Sequence, residues 1–256
     1  MMDAHDPSQR PVAFVTGASY GIGAATALAL AEDGFDVAVS ELRPENLTRT
    51  VEAVTKAGGR AVPVALDVRS LSSVEAAIGE ILAACGRLDV LVNNAGVPLT
   101  CAALDVTAAE WDEVMSVNLR GAFFVSQQVG RHLIGRGRPG CIVSIASTHG
   151  FIGLADRSIY GISKAGIVQM TRMLAIEWAG HGIRVNAVAP GTVETPTRAA
   201  VLAANPQRRE LLMNRIPLHR FGTAEEMAAA VAYLASPRAA YITGQTLLVD
   251  GGLTAY

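Results

Sequence analysis

The sequence predicts an α/β protein: a doubly wound parallel sheet of seven strands with helices on both faces. Three observations carry this reading. Short apolar runs recur along the chain with helical patterns between them. The runs are apolar throughout rather than alternating, as in parallel strands covered on both faces. Half of the 256 residues are hydrophobic, 25 are glycine and only 5% are aromatic, which suits a core of Val, Ile, Leu and Ala with many tight strand-to-helix turns.

The predicted strands are Val12 to Thr16, Asp36 to Ser40, Ala61 to Leu66, Leu88 to Val92, Cys141 to Ala146, Arg184 to Ala189 and Thr246 to Val249. Helices fill the gaps and end where glycine can take a left-handed backbone: Ile22 to Asp33 stops at Gly34, Glu45 to Ala57 at Gly58 and Gly59, and Leu71 to Cys85 at Gly86. Thr107 with Glu110, and Thr223 with Glu226, form capping boxes that start two more. Strict βαβ alternation calls for right-handed crossovers. No repeat, low-complexity tract or Pro/Ser linker divides the chain, so residues 1–256 read as a single domain.

A net charge of −2 makes no strong electrostatic claim on nucleic acid or anionic lipid. No segment approaches the roughly 18 apolar residues needed to cross a bilayer, and the N-terminus lacks a signal-peptide pattern, so a cytoplasmic protein is expected. Cys85, Cys101 and Cys141 are odd in number and lack Cys-x-x-Cys spacing, which points to buried free thiols. The histidines show no His-x-His or His-Glu-x-x-His spacing, so no catalytic metal is expected.

The first strand runs directly into a turn that includes Gly17, Ser19, Tyr20, Gly21, Ile22 and Gly23, and then into a helix. Such a turn lets backbone approach a pyrophosphate, whose charge meets free N–H groups at the helix N-terminus. The spacing is Gly-x-x-x-Gly-x-Gly rather than the general Gly-x-Gly-x-x-Gly, and a purely structural turn is the plain alternative. Gly17, Ser19 and Gly21 also spell the Gly-x-Ser-x-Gly of a hydrolase nucleophile elbow, but no earlier strand could supply its oxyanion loop.

Glu41 closes the second strand, eighteen residues beyond Gly23. A carboxylate there accepts hydrogen bonds from adenosine ribose hydroxyls and repels the 2′-phosphate of NADP, so NAD is the expected cofactor and NADP the lesser reading. Arg43, two residues on, argues for the phosphate, and an exposed loop acid is the plain alternative for Glu41. Asp67, with Val68 beside it after the third strand, is a candidate partner for the adenine ring; a helix-start acid is the competing reading.

Tyr160 and Lys164 are four residues apart, Ser147 lies thirteen residues upstream of Tyr160, and Lys164 is one of only two lysines. Residues four apart share one face of a helix. Tyrosine ordinarily titrates near 10, and lowering a phenol by about 3 units takes about 4 kcal/mol of phenolate stabilisation. A neighbouring ammonium and a positive nicotinamide favour that anion. Ser147 can then hold the substrate oxygen while Tyr160 moves its proton. Asn118 is a candidate for carrying a water that links Lys164 to solvent, against the plainer role of a helix-interior amide bonding a neighbouring strand. His149, two residues after Ser147, reads as an ordinary loop histidine or a substrate contact.

Thr16 to Gly23, Asn93 to Gly96, Ser147, Tyr160 with Lys164, and Pro190 with Gly191 stand in one order over nearly the whole chain. On these motifs the chain resembles the short-chain dehydrogenase/reductases, in their main single-domain branch. The resemblance implies a Rossmann fold with the first strand between the second and fourth, and Asn118, Ser147, Tyr160 and Lys164 as a catalytic tetrad. It places Asn94, Ala95 and Gly96 on the adenine-ribose side of the cofactor, and Pro190, Gly191, Val193 and Thr195 on the nicotinamide half, with Tyr160 and Lys164 reaching it too.

The resemblance also implies a homotetramer that pairs the long helices after the fourth and fifth strands and packs C-terminal segments. A substrate lid is expected near residues 195–218, where Arg198, Arg208, Arg209 and Arg215 could meet a carboxylate or phosphate, or simply be solvated. The chain is similar both to sugar and polyol dehydrogenases and to 3-oxoacyl-carrier-protein reductases. Glu41 tilts the expectation toward NAD-linked oxidation of a secondary alcohol or sugar. The contrasting class is a catalytically idle NAD sensor.

Overall fold

The computed structural model describes residues 10–195 and 206–255. Its sheet comprises β1 (Val12–Thr16), β2 (Asp36–Glu41), β3 (Ala61–Ala65), β4 (Val90–Asn93), β5 (Gly140–Ile145), β6 (Ile183–Pro190) and β7 (Thr246–Val249). The order is β3-β2-β1-β4-β5-β6-β7, and every pairing is parallel. The chain therefore reverses direction across the sheet between β1 and β4, opening a crevice at their C-terminal ends where α/β sheets of this kind bind ligands.

Strand side chains point alternately to the two faces, and the core divides accordingly. Phe14, Leu91, Ile142 and Val185 face one layer, packed by α3 (Leu71–Cys85), α5 (Ala122–Gly135) and α6 (Ser158–Trp178). Val15, Val39, Val92 and Val143 face the other, packed by α1 (Gly21–Glu32), α2 (Thr48–Lys56) and α8 (Ala224–Ala235). Along the chain, α4 (Ala108–Met115) comes between α3 and α5, and α7 (Pro206–Asn214) between α6 and α8. Fully burying a Leu, Ile, Val or Phe stabilises by about 1.5–3 kcal/mol, so this two-sided core dominates the stability of the sheet.

The apolar-throughout pattern holds for the interior strands and fails at the edges. β3 is half-exposed and carries Pro63, whose missing N–H is tolerated on an edge strand. In β7, Leu247 and Leu248 remain 40% and 39% exposed. Several boundaries shift by a residue or two from the sequence reading, as at Glu41 in β2 and Asn93 in β4.

The helix signals act as expected at α3, where Ser70 accepts from the Ser73 N–H and Gly86 ends the helix at φ 72°. Both threonine capping boxes are formed, at the starts of α4 and α8. The helix expected over Glu45 to Ala57 is instead a 3-10 turn, Pro44–Leu47, followed by α2. Of the three thiols, Cys141 is buried, and desolvation pushes it up to about 11; Cys85 and Cys101 are only half-buried. Among the described residues, no helix is long and apolar enough to cross a membrane.

Candidate active site

The crevice is built from the ends of β1 and β4. Thr16, the last residue of β1, accepts the N–H groups of Asn94 and Ala95 on its hydroxyl, each at 3.1 Å. Asn94 returns the tie, donating from Nδ2 to the carbonyl oxygens of Thr16 at 3.0 Å and Gly17 at 2.7 Å. Gly17 adopts φ +64°, and a Cβ there would sit 2.8 Å from the Ala95 Cα, so backbone freedom and space both demand glycine. A Cβ on Gly23 would strike the Gly17 carbonyl oxygen and lie 2.5 Å from Asn94 Nδ2. The start of α1 is thereby pressed against the turn. Its cap residue Tyr20 is extended, makes no side-chain cap hydrogen bond, and no acid occupies the first helical turn. N–H donors and the positive helix end are left facing the crevice, as an anionic diphosphate requires.

A cavity of about 480 Å³ opens there. Gly17, Ser19, Tyr20, Gly21 and Ile22 line one side, with Glu41 at the end of β2. Asp67 and Val68 line another, and Asn94, Ala95 and Gly96 form the floor after β4. Thr195 completes it, its Cγ2 lying 3.4 Å from where a Cβ on Gly21 would stand. The donor-rich turn and the glycine cradle fit a dinucleotide's pyrophosphate. Gly23 supports the turn from beneath. Pro190, Gly191 and Val193 lie outside this lining: Pro190 ends β6, Gly191 packs against Asp250, and Val193 pairs with Gly222 in a parallel bridge.

Glu41 is held rather than free-swinging. Its carboxylate accepts the Ser19 hydroxyl at 2.7 Å and the Leu42 N–H at 2.9 Å, which leaves lone pairs on both oxygens for further donors. Ser19 thus hydrogen-bonds a carboxylate that faces the cavity. Asp67 does not start a helix, since Ser70 caps α3. Arg69 donates to it from Nε at 2.9 Å and Nη2 at 2.8 Å, and that pairing holds the Asp67 carboxyl below its ordinary range.

The cavity runs into the proposed tetrad at Gly96. A Cβ on that glycine would lie 3.2 Å from Asn118 Oδ1 and 3.6 Å from Lys164 Nζ. Asn118 sits in a π-helical turn, Ser116–Gly121, between α4 and α5. Its side chain binds both backbone groups of Val97, accepting from N–H at 2.8 Å and donating to the carbonyl at 3.0 Å, and donates to Ser163 Oγ at 3.2 Å. The amide thus bonds the loop after β4 and α6 rather than the strand of the plainer sequence reading.

On α6, Lys164 is buried and donates from Nζ to the Ile145 carbonyl at 2.7 Å. The same ammonium lies 5.8 Å from the centre of the Tyr160 ring. Burial lowers Lys164 from 10.5 to about 8. Ser147 is buried at the end of β5, and the half-buried His149 follows it on a 3-10 turn, Thr148–Gly150. Asn118 and Lys164 thus meet beside Gly96, Tyr160 stands next to Lys164, and Ser147, just after β5, is linked to Tyr160 through the His149 ring.

A family model described as Enoyl-(Acyl carrier protein) reductase matches residues 17–254, nearly all of the chain on which this geometry is built. The chain belongs to the short-chain dehydrogenase/reductase family. As a short-chain dehydrogenase/reductase it is an oxidoreductase of a family that uses nicotinamide cofactors.

It is similar to a 3-oxoacyl-[acyl-carrier-protein] reductase of Thermotoga maritima, 40% identical and covering 94% of this chain and 97% of that one. It is also similar to a 2-dehydro-3-deoxy-D-gluconate 5-dehydrogenase of Escherichia coli, at 38% identity and 94% of each chain. Among solved structures, a variant actinorhodin polyketide ketoreductase with NADPH superposes with a TM-score of 0.92, at 39% identity, covering 96% of this chain and 98% of that one.

Several residues that line the cavity were not singled out from sequence. Asn46, on the 3-10 turn after β2, lines it, as do Arg69 and Glu113. Asn46 follows a strand end by five residues and carries no motif, so only the folded turn brings it to the site. Of the lid arginines, Arg198 and the side chain of Arg208 lie outside the described residues. Arg209 lies over the Phe221 ring at 5.4 Å, packing onto the small apolar cluster that includes Ile216.

Proposed function

We propose that this chain is an NAD(H)-dependent oxidoreductase that interconverts a secondary alcohol, such as a sugar, polyol or other hydroxy compound, and its carbonyl. The observation that carries this is a cavity lined by the glycine turn and Glu41 that reaches Gly96, beside which Lys164 Nζ stands with the Tyr160 ring 5.8 Å away.

A bound nicotinamide dinucleotide supplies the hydride acceptor in oxidation and the donor in reduction. Tyr160 takes the proton of the substrate hydroxyl in oxidation and returns it in reduction. Ser147 donates a hydrogen bond to the substrate oxygen and so stabilises the negative charge that grows there. Lys164 remains mostly an ammonium at neutral pH and favours the Tyr160 phenolate by charge. Asn118 fixes the loop after β4 against α6 and stands where a water could link Lys164 to solvent. At the far end, Glu41 accepts ribose hydroxyls and opposes a 2′-phosphate.

A second reading, an NADP-linked reductase of 3-oxoacyl thioesters, is favoured by the similarity to the T. maritima enzyme and by the NADPH in the ketoreductase structure. Initial rates with NAD and NADP in parallel separate the two, using sugars, polyols, hydroxy acids and secondary alcohols for oxidation and a 3-oxoacyl thioester for reduction. NAD-linked oxidation supports the first reading, and thioester reduction with NADPH alone supports the second. Tight NAD binding without turnover on either arm would instead mark a sensor.

The reading includes a homotetramer. A groove of about 930 Å³ between α4, α5 and α6 is lined by Phe123, Phe124, Met170 and Met173, and contains none of the tetrad. Ile176 is 78% exposed on the same helix, and β7 exposes Leu247 and Leu248. Apolar faces of this kind fit subunit contacts.

A further inference from the structure

The 3-10 turn carrying His149 is pinned to α6 by two close backbone approaches. A Cβ on Gly150 would lie 3.0 Å from the Lys164 carbonyl carbon, and one on Gly161 would lie 3.0 Å from the His149 carbonyl oxygen. The imidazole consequently stands edge-on to the Tyr160 ring, with centroids 5.9 Å apart at 74°. Its Nδ1 lies 3.4 Å from Ser147 Oγ, which also accepts the His149 backbone N–H at 3.2 Å.

A hydroxyl has one proton and two lone pairs. One lone pair of Ser147 is taken by the His149 N–H, so the direction of the proton depends on Nδ1. A protonated Nδ1 donates to Oγ and leaves the Ser147 proton to point at the substrate oxygen. A bare Nδ1 accepts that proton and draws it away from the reacting centre.

We infer that His149 is a positioning residue that sets the direction of the Ser147 hydroxyl proton and so makes hydride transfer depend on the protonation of Nδ1. The inference rests on the tetrad reading above. Oxidation and reduction pass through one transition state with negative charge on the substrate oxygen, so the effect acts in both directions.

On α6 the Tyr160 ring faces the imidazole, and the ammonium of Lys164 lies behind that ring, 5.8 Å from its centre. β6, which also packs on this turn, carries Arg184 as its one charged residue, and Arg184 is bound at the opposite end of the strand to the Leu234 carbonyl. Arg157, which precedes α6, donates to the Leu99 carbonyl.

Two variants separate the nitrogen from the ring. His149→Phe keeps an aromatic edge against Tyr160 and removes Nδ1. His149→Asn places an amide that can donate near Oγ but does not titrate. In the oxidation direction Tyr160 makes the rate rise with pH, so a fall caused by loss of the Nδ1 proton is separable.

Wild type should show a partial fall as Nδ1 loses its proton, on top of the rise from Tyr160. His149→Asn should keep the higher rate without the fall. His149→Phe should be about fivefold slower in kcat at low pH, the share of one hydrogen bond, with no fall and with KM within about threefold, as expected when only a transition-state interaction is lost. Wild-type pH profiles in both variants would overturn the inference.

The companion measurement needs no turnover. Long-range 15N NMR of the histidine rings, with His149 assigned by its loss in His149→Phe, should show its Nδ1 signal and titration moving in Ser147→Ala. An unmoved signal also overturns the inference. If wild type oxidises nothing and reduces nothing while that signal moves, the hydrogen bond stands and the enzymatic reading fails.

Discussion

Lys164 Nζ lies 5.8 Å from the centre of the Tyr160 ring while donating to the Ile145 carbonyl at 2.7 Å. The carbonyl anchors an ammonium that would otherwise be buried without a partner, and burial still lowers its pKa from 10.5 to about 8. Between those two values the unfolded chain binds more protons at this site than the folded one, so folding stability contributed by Lys164 rises with pH across that window. The cost of burying the charge is felt fully below about pH 8. A Lys164→Met variant is expected to gain stability relative to wild type as pH falls from 10.5 toward 8 and to level off below that. Thermal unfolding of both proteins across that range checks it; a difference independent of pH would mean that the ammonium is not desolvated.

Glu41 accepts the Ser19 hydroxyl at the edge of the cavity, where the proposed function puts the adenosine ribose. Removing the carboxylate in Glu41→Ala removes the like-charge opposition to a 2′-phosphate, an effect that can reach several kcal/mol. The ratio of kcat/KM with NADP to that with NAD is expected to rise at least about tenfold, each factor of ten being about 1.4 kcal/mol. An unchanged ratio would place the ribose contact elsewhere.

Gly23 has no room for a side chain, because a Cβ would meet the Gly17 carbonyl oxygen and Asn94 Nδ2. Gly23→Ala should force the phosphate turn away from the loop after β4, at a cost of about 1–3 kcal/mol for overpacking. Calorimetry and dinucleotide titration should both register it, as a lowered Tm and a cofactor affinity reduced tenfold or more. Unaltered affinity would show that the turn does not cradle the pyrophosphate.

The apolar face of α5 and α6 bears Phe123 and Met173 at 37% and 49% exposure. Placing charges there, as in Phe123→Asp with Met173→Asp, should divide the expected tetramer into smaller species by light scattering. A mass equal to wild type would exclude this face as a contact.

Much of this was legible in the sequence because the signals are local. The glycine turn, the threonine capping boxes and the four-residue spacing of Tyr160 and Lys164 each fix a geometry within a few residues. The π-helical turn that carries Asn118 was not legible. It lies where Gly121 backs onto Val68, with space for a Cβ denied at 2.8 Å, a long-range fit with no periodic signature. Pro44 suits the start of the 3-10 turn, but the hydrophobic pattern runs on through Leu47 and Thr48, where that turn gives way to α2. The exposure of β3 and β7 follows from their edge positions, which strand composition alone does not reveal.

The central claim is that Tyr160 moves the proton. The most direct test compares the initial rate of reduced-cofactor formation by wild type and Tyr160→Phe on a substrate that wild type oxidises, with the NAD dissociation constant measured for both. The account predicts a loss of kcat of about 10²–10⁴-fold, the typical contribution of a positioned acid or base, with NAD affinity held within a few-fold. Retained turnover in Tyr160→Phe would contradict it.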